Sequence, residues 1–201
     1  MRLWLPSAEV ATGCRESWVT LYIGLDDTDT LDRGGTGRLA RALAGALVAF
    51  SVGEPGPSVS RHQLLQDPRV PCTRKNRCSC VVLRAPEEAL EAVAREARAF
   101  VAARAEPGSD PGLCVAPECR VTGPVVAFGG AAQATLLDPG SALAVAAGAG
   151  LLLESLGGTP DGVIGALAAV GLRLGGRDGW LTQVGALRSL DGVLSVSSSP
   201  M

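Results

Sequence analysis

Residues 18–37 read WVTLYIGLDDTDTLDRGGTG, and this stretch decides the fold prediction. The run from Trp18 to Leu25 is rich in aromatic and β-branched residues and stops abruptly at Asp26, which predicts a central strand. A polar, glycine-rich loop follows, and from Arg38 to Phe50 leucines and alanines recur at helical spacing. The stretch therefore predicts a strand, loop and helix unit.

Three carboxylates lie within four residues at the end of that strand, on Asp26, Asp27 and Asp29. The C-terminal ends of strands are where α/β sheets usually bind ligands. Because the three charges repel one another, a hard divalent cation is their natural partner, and Mg²⁺ favours carboxylates together with phosphate oxygens. The alternative for such a run is a solvated acidic turn.

The tetrapeptide Gly34-Gly35-Thr36-Gly37 precedes the helix, with Thr36 or Gly37 near the cap position. It lacks the Lys-Ser/Thr ending of a P-loop. Glycines before a helix nevertheless let backbone N–H groups close on a phosphate at the positive end of the helix dipole. With the carboxylates upstream, the pattern predicts a metal–triphosphate site. A second glycine-rich loop, Gly157 to Gly162, precedes an apolar helix and is either another phosphate-binding helix start or a plain connection.

Four basic residues lie within a short proline-punctuated loop, namely Arg69, Arg74, Lys75 and Arg77. Guanidinium groups suit bidentate phosphate contacts. The alternative is a solvated loop. His62, the only histidine, falls in a strand-like run and is interpreted as structural.

The six cysteines contain no Cys-x-x-Cys pair of zinc-ribbon spacing. Cys78 and Cys80 are two apart in a strand-like run, so both point to one face, and we interpret them as small buried residues. A cysteine-held metal protein is the alternative.

The remaining pattern predicts an α/β fold, with mixed α+β left open, in which one sheet is flanked by helices. Predicted strands are 59–65, 78–84 and 113–116, and predicted helices are 86–105 and 163–170. Residues 125–150 are expected to form a strand or turn and then a helix from about Ser141. The expected division is an N-terminal extension over 1–17, one domain over 18–196 and a frayed tail over 197–201.

The composition favours one soluble domain. Of 201 residues, 47% are hydrophobic and 19% charged, which supplies a sizeable core. A net charge of −2 argues against binding nucleic acid through a broad basic surface. No apolar stretch is long enough for a signal peptide or a membrane span, so a cytoplasmic location is expected.

Several motifs occur in the same order as in one known family. Ile23 to Thr30 looks like a Gly-Ile-Asp-Asp-Thr-Asp-Ser opening. The later matches are residues 67–71 with 73–76, residues 110–113, and residues 162–169 with Asp178. Together they resemble the archaeal tRNA(Ile) agmatidine synthetases, in particular their N-terminal kinase-like domain. In that family the domain uses ATP and Mg²⁺ to activate the wobble cytidine of an isoleucine tRNA for replacement of its carbonyl oxygen by agmatine.

The resemblance places Thr36 at a threonine that the family phosphorylates on itself. With it, the expected catalytic residues are Asp26, Asp27, Asp29 and Thr36, and the three aspartates are also the expected Mg²⁺ ligands. The expected nucleotide-binding residues are Gly34, Gly35, Gly37, Arg74, Lys75, Asn76 and Gly162.

The full family enzyme also carries ferredoxin-like, OB and zinc-ribbon domains, and this chain ends where they would begin. The isolated chain is therefore not expected to bind tRNA strongly, and a separate OB-fold or zinc-ribbon subunit or a homo-oligomer is left open. The leading interpretation is a Mg²⁺- and ATP-dependent phosphotransferase-like enzyme with an unidentified acceptor. The rival is a non-catalytic ATP-binding module that acts through a partner protein.

Overall fold

A computed structural model describes residues 17–53, 56–73, 75–176 and 179–184. Two residues singled out above, Arg74 and Asp178, lie outside these ranges. Residues 1–16 and the whole stretch from residue 185 onward also lie outside them, so they take no part in the description below.

One six-stranded sheet organises the described residues, in the order β5-β4-β1-β3-β2-β6. The strands are β1 (Trp18–Asp26), β2 (Ser58–Gln63), β3 (Arg77–Pro86), β4 (Gly112–Pro117), β5 (Leu152–Ser155) and β6 (Trp180–Val184). Each neighbouring pair is antiparallel. The strand predicted to be central is β1, which lies between β3 and β4.

Within the described ranges, five α-helices cover the two faces of this sheet. They are α1 (Thr36–Ala46), α2 (Leu90–Arg104), α3 (Gly123–Ala134), α4 (Pro139–Gly148) and α5 (Gly162–Gly175). Leu21, Ile23 and Leu25 of β1 pack with the apolar side chains of α1 and α2. Tyr22, which points to the opposite face, packs in a second core with α3, α4 and α5. The expected fold of one sheet flanked by helices is confirmed.

The expected strand or turn around Val125 is wrong, because this segment forms helix α3. Its β-branched pair Val125 and Val126 favoured a strand locally. Packing against α5 decides otherwise, since a Cβ at Gly129 would come within 2.8 Å of the backbone nitrogen of Leu172. The two helices therefore approach closely along a strip of small residues. Among the described helices, none combines the length and apolar character needed to cross a bilayer.

Candidate functional site

A cleft of about 180 Å³ opens beside Asp26, the last residue of β1. Its walls come from the loop after β1, the segment between β2 and β3, the end of α3 and the start of α5. The lining includes six residues expected from the sequence: Asp26, Asp27, Asp29, Thr36, Lys75 and Asn76. Residues far apart in the chain thus meet at one polar site.

The carboxylates at this site carry raised pKa values. Burial, followed by the charge of Asp27, raises the pKa of Asp26 to about 8. Burial also raises the pKa of Asp27 to about 6, with further contributions from the charges of Asp110, Asp29 and Asp161. Asp110 and Asp161 were not predicted as site residues, although residues 110–113 and the loop from Gly157 to Gly162 were singled out as motifs.

The hydroxyl of Thr36 lies in a short hydrogen-bonded chain. It accepts from the hydroxyl of Thr28 at 3.2 Å and donates to Oδ1 of Asp29 at 3.5 Å. Thr73 donates to the same carboxylate oxygen at 3.5 Å. Thr36 is buried and is the first residue of α1. Its hydroxyl therefore has an adjacent carboxylate that can accept its proton.

The glycine loop gives the start of α1 its shape. Gly34 and Gly35 have φ values of 91° and 145°, a region that L side chains rarely adopt. A Cβ at Gly34 would also lie 2.8 Å from the Cβ of Asp29. Within the described residues, α1 has neither an acidic residue in its first turn nor a side-chain cap. Its first backbone N–H groups are therefore suited to an anionic ligand.

The second glycine-rich loop, Gly157 to Gly162, positions the start of α5 against the sheet and beside the cleft. A Cβ at Gly162 would lie 2.7 Å from the backbone nitrogen of Gly112, so this glycine lets α5 begin directly against β4. From the start of α5, Asp161, Ile164 and Gly165 line the cleft. A Cβ at Gly165 would collide with the carboxylate of Asp26. Gly162 thus packs against the start of β4, whereas Gly165 makes room for a candidate catalytic side chain.

The basic loop divides into paired and exposed groups. Arg69 makes a two-pronged contact with Asp67, from Nε at 2.9 Å and from Nη2 at 2.8 Å. The amide of Asn76 donates to the carbonyl of Leu65 at 2.9 Å and so holds the loop against the end of β2. Lys75 is exposed at the cleft. Lys75 is therefore placed to meet a ligand, and Asn76 has a positioning contact.

Comparison with known proteins adds a structural likeness. No family model matches the sequence, and neither does any curated protein. Similar solved structures include a complex of TiaS with an isoleucine tRNA and ATP, with a TM-score of 0.63 and 23% identity. Apo TiaS, an agmatidine synthetase for that tRNA, matches with 0.60 and 22%. A tRNA fluorescent labeling enzyme matches with 0.60 and 24%.

Each match covers 76% of this chain, and the chain spans 35–36% of the length of those proteins. At such low identity these matches establish the shared fold. The resemblance inferred from the motifs is therefore supported at the level of the fold.

Apolar side chains also line the cleft. They are those of Leu64, Leu65, Val70, Pro71, Ala132, Leu136, Leu137 and Ile164. Residues 132–137 were missed by the sequence analysis because the segment before them was interpreted as a strand or turn. The cleft therefore combines apolar side chains with the carboxylates of Asp26, Asp27 and Asp29.

His62 and three cysteines belong to the interior. His62 is 1% exposed, with its Nε2 2.8 Å from the hydroxyl of Ser60. Cys78, Cys80 and Cys114 are buried in the core beneath α3 and α5, and burial raises the pKa of Cys80 to about 12. No three His, Cys, Asp or Glu side chains of the described residues form a ready-made metal site. The interpretation of Cys78 and Cys80 as core residues agrees with their positions.

Proposed function

We propose that this chain is a Mg²⁺-dependent, ATP-binding phosphotransferase-like enzyme whose acceptor is not yet identified. The observation that carries the proposal is the meeting of Asp26, Asp27 and Asp29 with the Thr36 hydroxyl at the start of α1, in one cleft. Carboxylates, a helix N-terminus and a cation are the groups that phosphoryl transfer requires. The apolar side chains that line the same cleft are suited to a nucleobase.

The carboxylates fit Mg²⁺ by their chemistry. Their oxygens are hard ligands, and the raised pKa values of Asp26 and Asp27 report burial and mutual repulsion that a cation would relieve. Mg²⁺ usually takes one or two protein carboxylates and completes its shell with water and phosphate oxygens, so a closed protein cage is not required. Bound there, Mg²⁺ would neutralise charge on the phosphates, and Lys75 would add to that neutralisation.

The solved structures of similar fold support the proposal that this chain binds a nucleotide. They do not identify its acceptor. One of them is a TiaS complex with an isoleucine tRNA and ATP, and another is a TiaS complex with the same tRNA, AMPCPP and agmatine. A tRNA wobble cytidine presented by a separate subunit is therefore one acceptor to test. The glycine-bounded start of α1 is our proposed cradle for the phosphates.

Mg·ATP binding is tested by thermal unfolding. A ligand at about 100 times its Kd that binds only the folded state stabilises it by about 2.7 kcal/mol, which corresponds to roughly 5–10 °C for a protein of this size. Asp29→Asn should remove most of this shift because the substitution deletes a carboxylate charge at the cleft. Asp32→Asn, an exposed change in the same loop, should keep it. An unchanged wild-type melting temperature in millimolar Mg·ATP would refute the proposal.

Chemistry is tested with γ-labelled ATP. We expect slow transfer of the γ-phosphoryl group to Thr36: a bond forms between its hydroxyl oxygen and phosphorus, ADP leaves, and Asp29 accepts the hydroxyl proton. Mass spectrometry should find phosphate on Thr36 in the wild type and in Thr20→Ala, at the far end of β1, but none in Thr36→Ala.

The products are analysed for ADP and also for AMP with pyrophosphate, because the family that the sequence motifs resemble cuts ATP between its α and β phosphates. Tight Mg·ATP binding with no phosphothreonine and no hydrolysis product would favour the non-catalytic ATP-binding module instead.

A further inference from the structure

A second polar cluster lies on the α1 side of the sheet. On β3, Val81 and Leu83 pack in the same core as α1. Side chains two residues apart on a strand point to the same face of the sheet, so Arg77 and Ser79 face this side as well. Arg61 of β2 is opposite Ser79 in the sheet register and faces that side too, with Val59. Two arginines and a serine thus share the face of the sheet that α1 covers.

Arg61 passes directly over that turn. A Cβ at Gly37 would lie 3.1 Å from both Cδ and Nε of Arg61, so this side chain packs closely against the backbone of the turn. The Nε atom is buried and finds no hydrogen-bond partner among the described residues. A cation thus lies against the positive end of a helix whose first turn contains no acidic residue among the described positions.

The surroundings of Arg61 disfavour its charge. Burial lowers the pKa of Arg61, Arg77 and Arg41 lower it further, and Asp29 opposes them only in part. Ser79 is 0% exposed, and its hydroxyl also lacks a partner within the described part of the chain. Buried, unpartnered donors are costly unless a ligand satisfies them. The unpartnered donors of Arg61 and Ser79, the clustered positive charge and the helix N-terminus would all be stabilised by a bound anion.

We propose that Arg61, together with Arg77 and Ser79, binds the terminal phosphate of the nucleotide. This inference rests on the proposed function and extends it, because the sequence motifs pointed to residues 69–77 and not to Arg61. Arg61 contacts the turn that begins with Thr36 and lies within the electrostatic reach of Asp29. A phosphate held by Arg61 would therefore lie beside Gly37, the residue that follows Thr36 in the first turn of α1.

The test uses tripolyphosphate, ATP and adenosine in buffer containing millimolar Mg²⁺, with calorimetric titration and thermal unfolding as readouts. Arg61→Gln should weaken binding of tripolyphosphate and ATP at least tenfold and leave adenosine binding unchanged. Arg61→Lys should recover part of the loss because it restores the charge. Arg84→Gln, the same charge change at an exposed position of β3, should behave as wild type.

The ligand-free protein gives an independent readout. Because Arg61 is crowded by other cations, Arg61→Gln should raise the melting temperature of the free protein by about 2–4 °C. A structural arginine would have the opposite effect. A lowered melting temperature with unchanged tripolyphosphate affinity would therefore overturn the inference.

The outcomes separate the two proposals. ATP binding that is equally strong in wild type and Arg61→Gln overturns this inference and leaves the proposed function standing. Arg61-dependent binding of tripolyphosphate without any affinity for ATP supports a phosphate site and refutes the proposed function. Binding of neither compound by the wild type refutes both.

Discussion

At the residue scale, Asp27 holds its backbone at φ = 50°, the left-handed region that few non-glycine residues adopt. Such conformations cost about 1–3 kcal/mol and persist where the surrounding fold enforces them. The same residue is one of two aspartates whose pKa is raised by burial and neighbouring charge. The end of β1 therefore carries both backbone strain and electrostatic repulsion, a combination typical of ligand sites.

The raised pKa of Asp26 makes stability depend on pH. An ordinary aspartate has a pKa of about 3.9, and that of Asp26 is raised to about 8 in the folded protein. Between these values the folded state holds the proton more tightly than the unfolded chain, so stability falls as pH rises. In metal-free buffer, Asp26→Asn should flatten this decline and stabilise the protein at pH 8 by about 1–2 kcal/mol.

Urea unfolding at pH 5, 6.5 and 8 measures this effect, with Asp32→Asn as the control because its side chain is exposed. Two equal and parallel pH profiles for wild type and Asp26→Asn would contradict the prediction. Mg·ATP should diminish the wild-type decline, since a bound cation favours the ionised carboxylates.

Local spacing was sufficient to predict Asp26, Asp27, Asp29 and Thr36, because all four lie in one strand–loop–helix unit. It was insufficient for Asp110 and Asp161, whose charges act on Asp27 from segments that follow the unit by 60 residues or more. Arg61 required the register of β2 against β3, which no local pattern specifies. The sequence therefore indicated which contiguous residues meet at the cleft, and their roles stay a prediction.

At the element scale, glycines in both α5 and β1 allow the helix to pack closely against this strand. A Cβ at Gly24 of β1 would collide with the carbonyl oxygen of Ala166, and one at Gly165 would collide with the Asp26 carboxylate. Close packing of this kind brings the N-terminal turn of α5 to the cleft. The helix therefore couples the core to the site.

Two glycine-to-alanine changes test this coupling. Gly165→Ala should cost about 1–3 kcal/mol through overpacking and should also weaken the Mg·ATP-induced melting shift, because the added methyl group displaces Asp26. Gly130→Ala lies in α3, where a Cβ would meet nothing within 4 Å. It should stabilise the helix by about 0.5–1 kcal/mol and keep the shift. Equal effects of both changes on nucleotide binding would argue against the coupling.

Elements with strong local signals were predicted well, and those fixed by packing were not. The pattern located β1 and the helices α1 and α2 to within a few residues. The edge strands β5 and β6 are only four and five residues long, and neither was predicted. The expectation of ligands at strand C-termini came from parallel sheets, whereas this sheet pairs antiparallel and its cleft is built mainly from loops and helix ends.

At the scale of the whole molecule, three of the cations described above already contact other groups of the protein. Arg69 is paired with Asp67, and Arg77 lies 5.0 Å from the ring centre of Trp180 and donates to Gln63. Arg61 lies over the first turn of α1. The net charge of −2 does not favour broad electrostatic attraction to an RNA backbone.

We therefore expect weak binding of tRNA by this chain. Affinity for RNA grows with the number of phosphates that cations neutralise, and each contact adds about 0.7–0.9 to the slope of log K against log salt. Two or three contacts from exposed residues such as Lys75 would give a shallow slope and a Kd well above micromolar. Filter binding of tRNA at 50 and 200 mM salt, with and without Mg·ATP, measures both quantities. The opposite outcome is sub-micromolar binding that falls steeply with salt. If Arg69→Gln and Lys75→Gln weaken that binding while Arg84→Gln does not, the loop from Arg69 to Arg77 is an RNA-recognition surface.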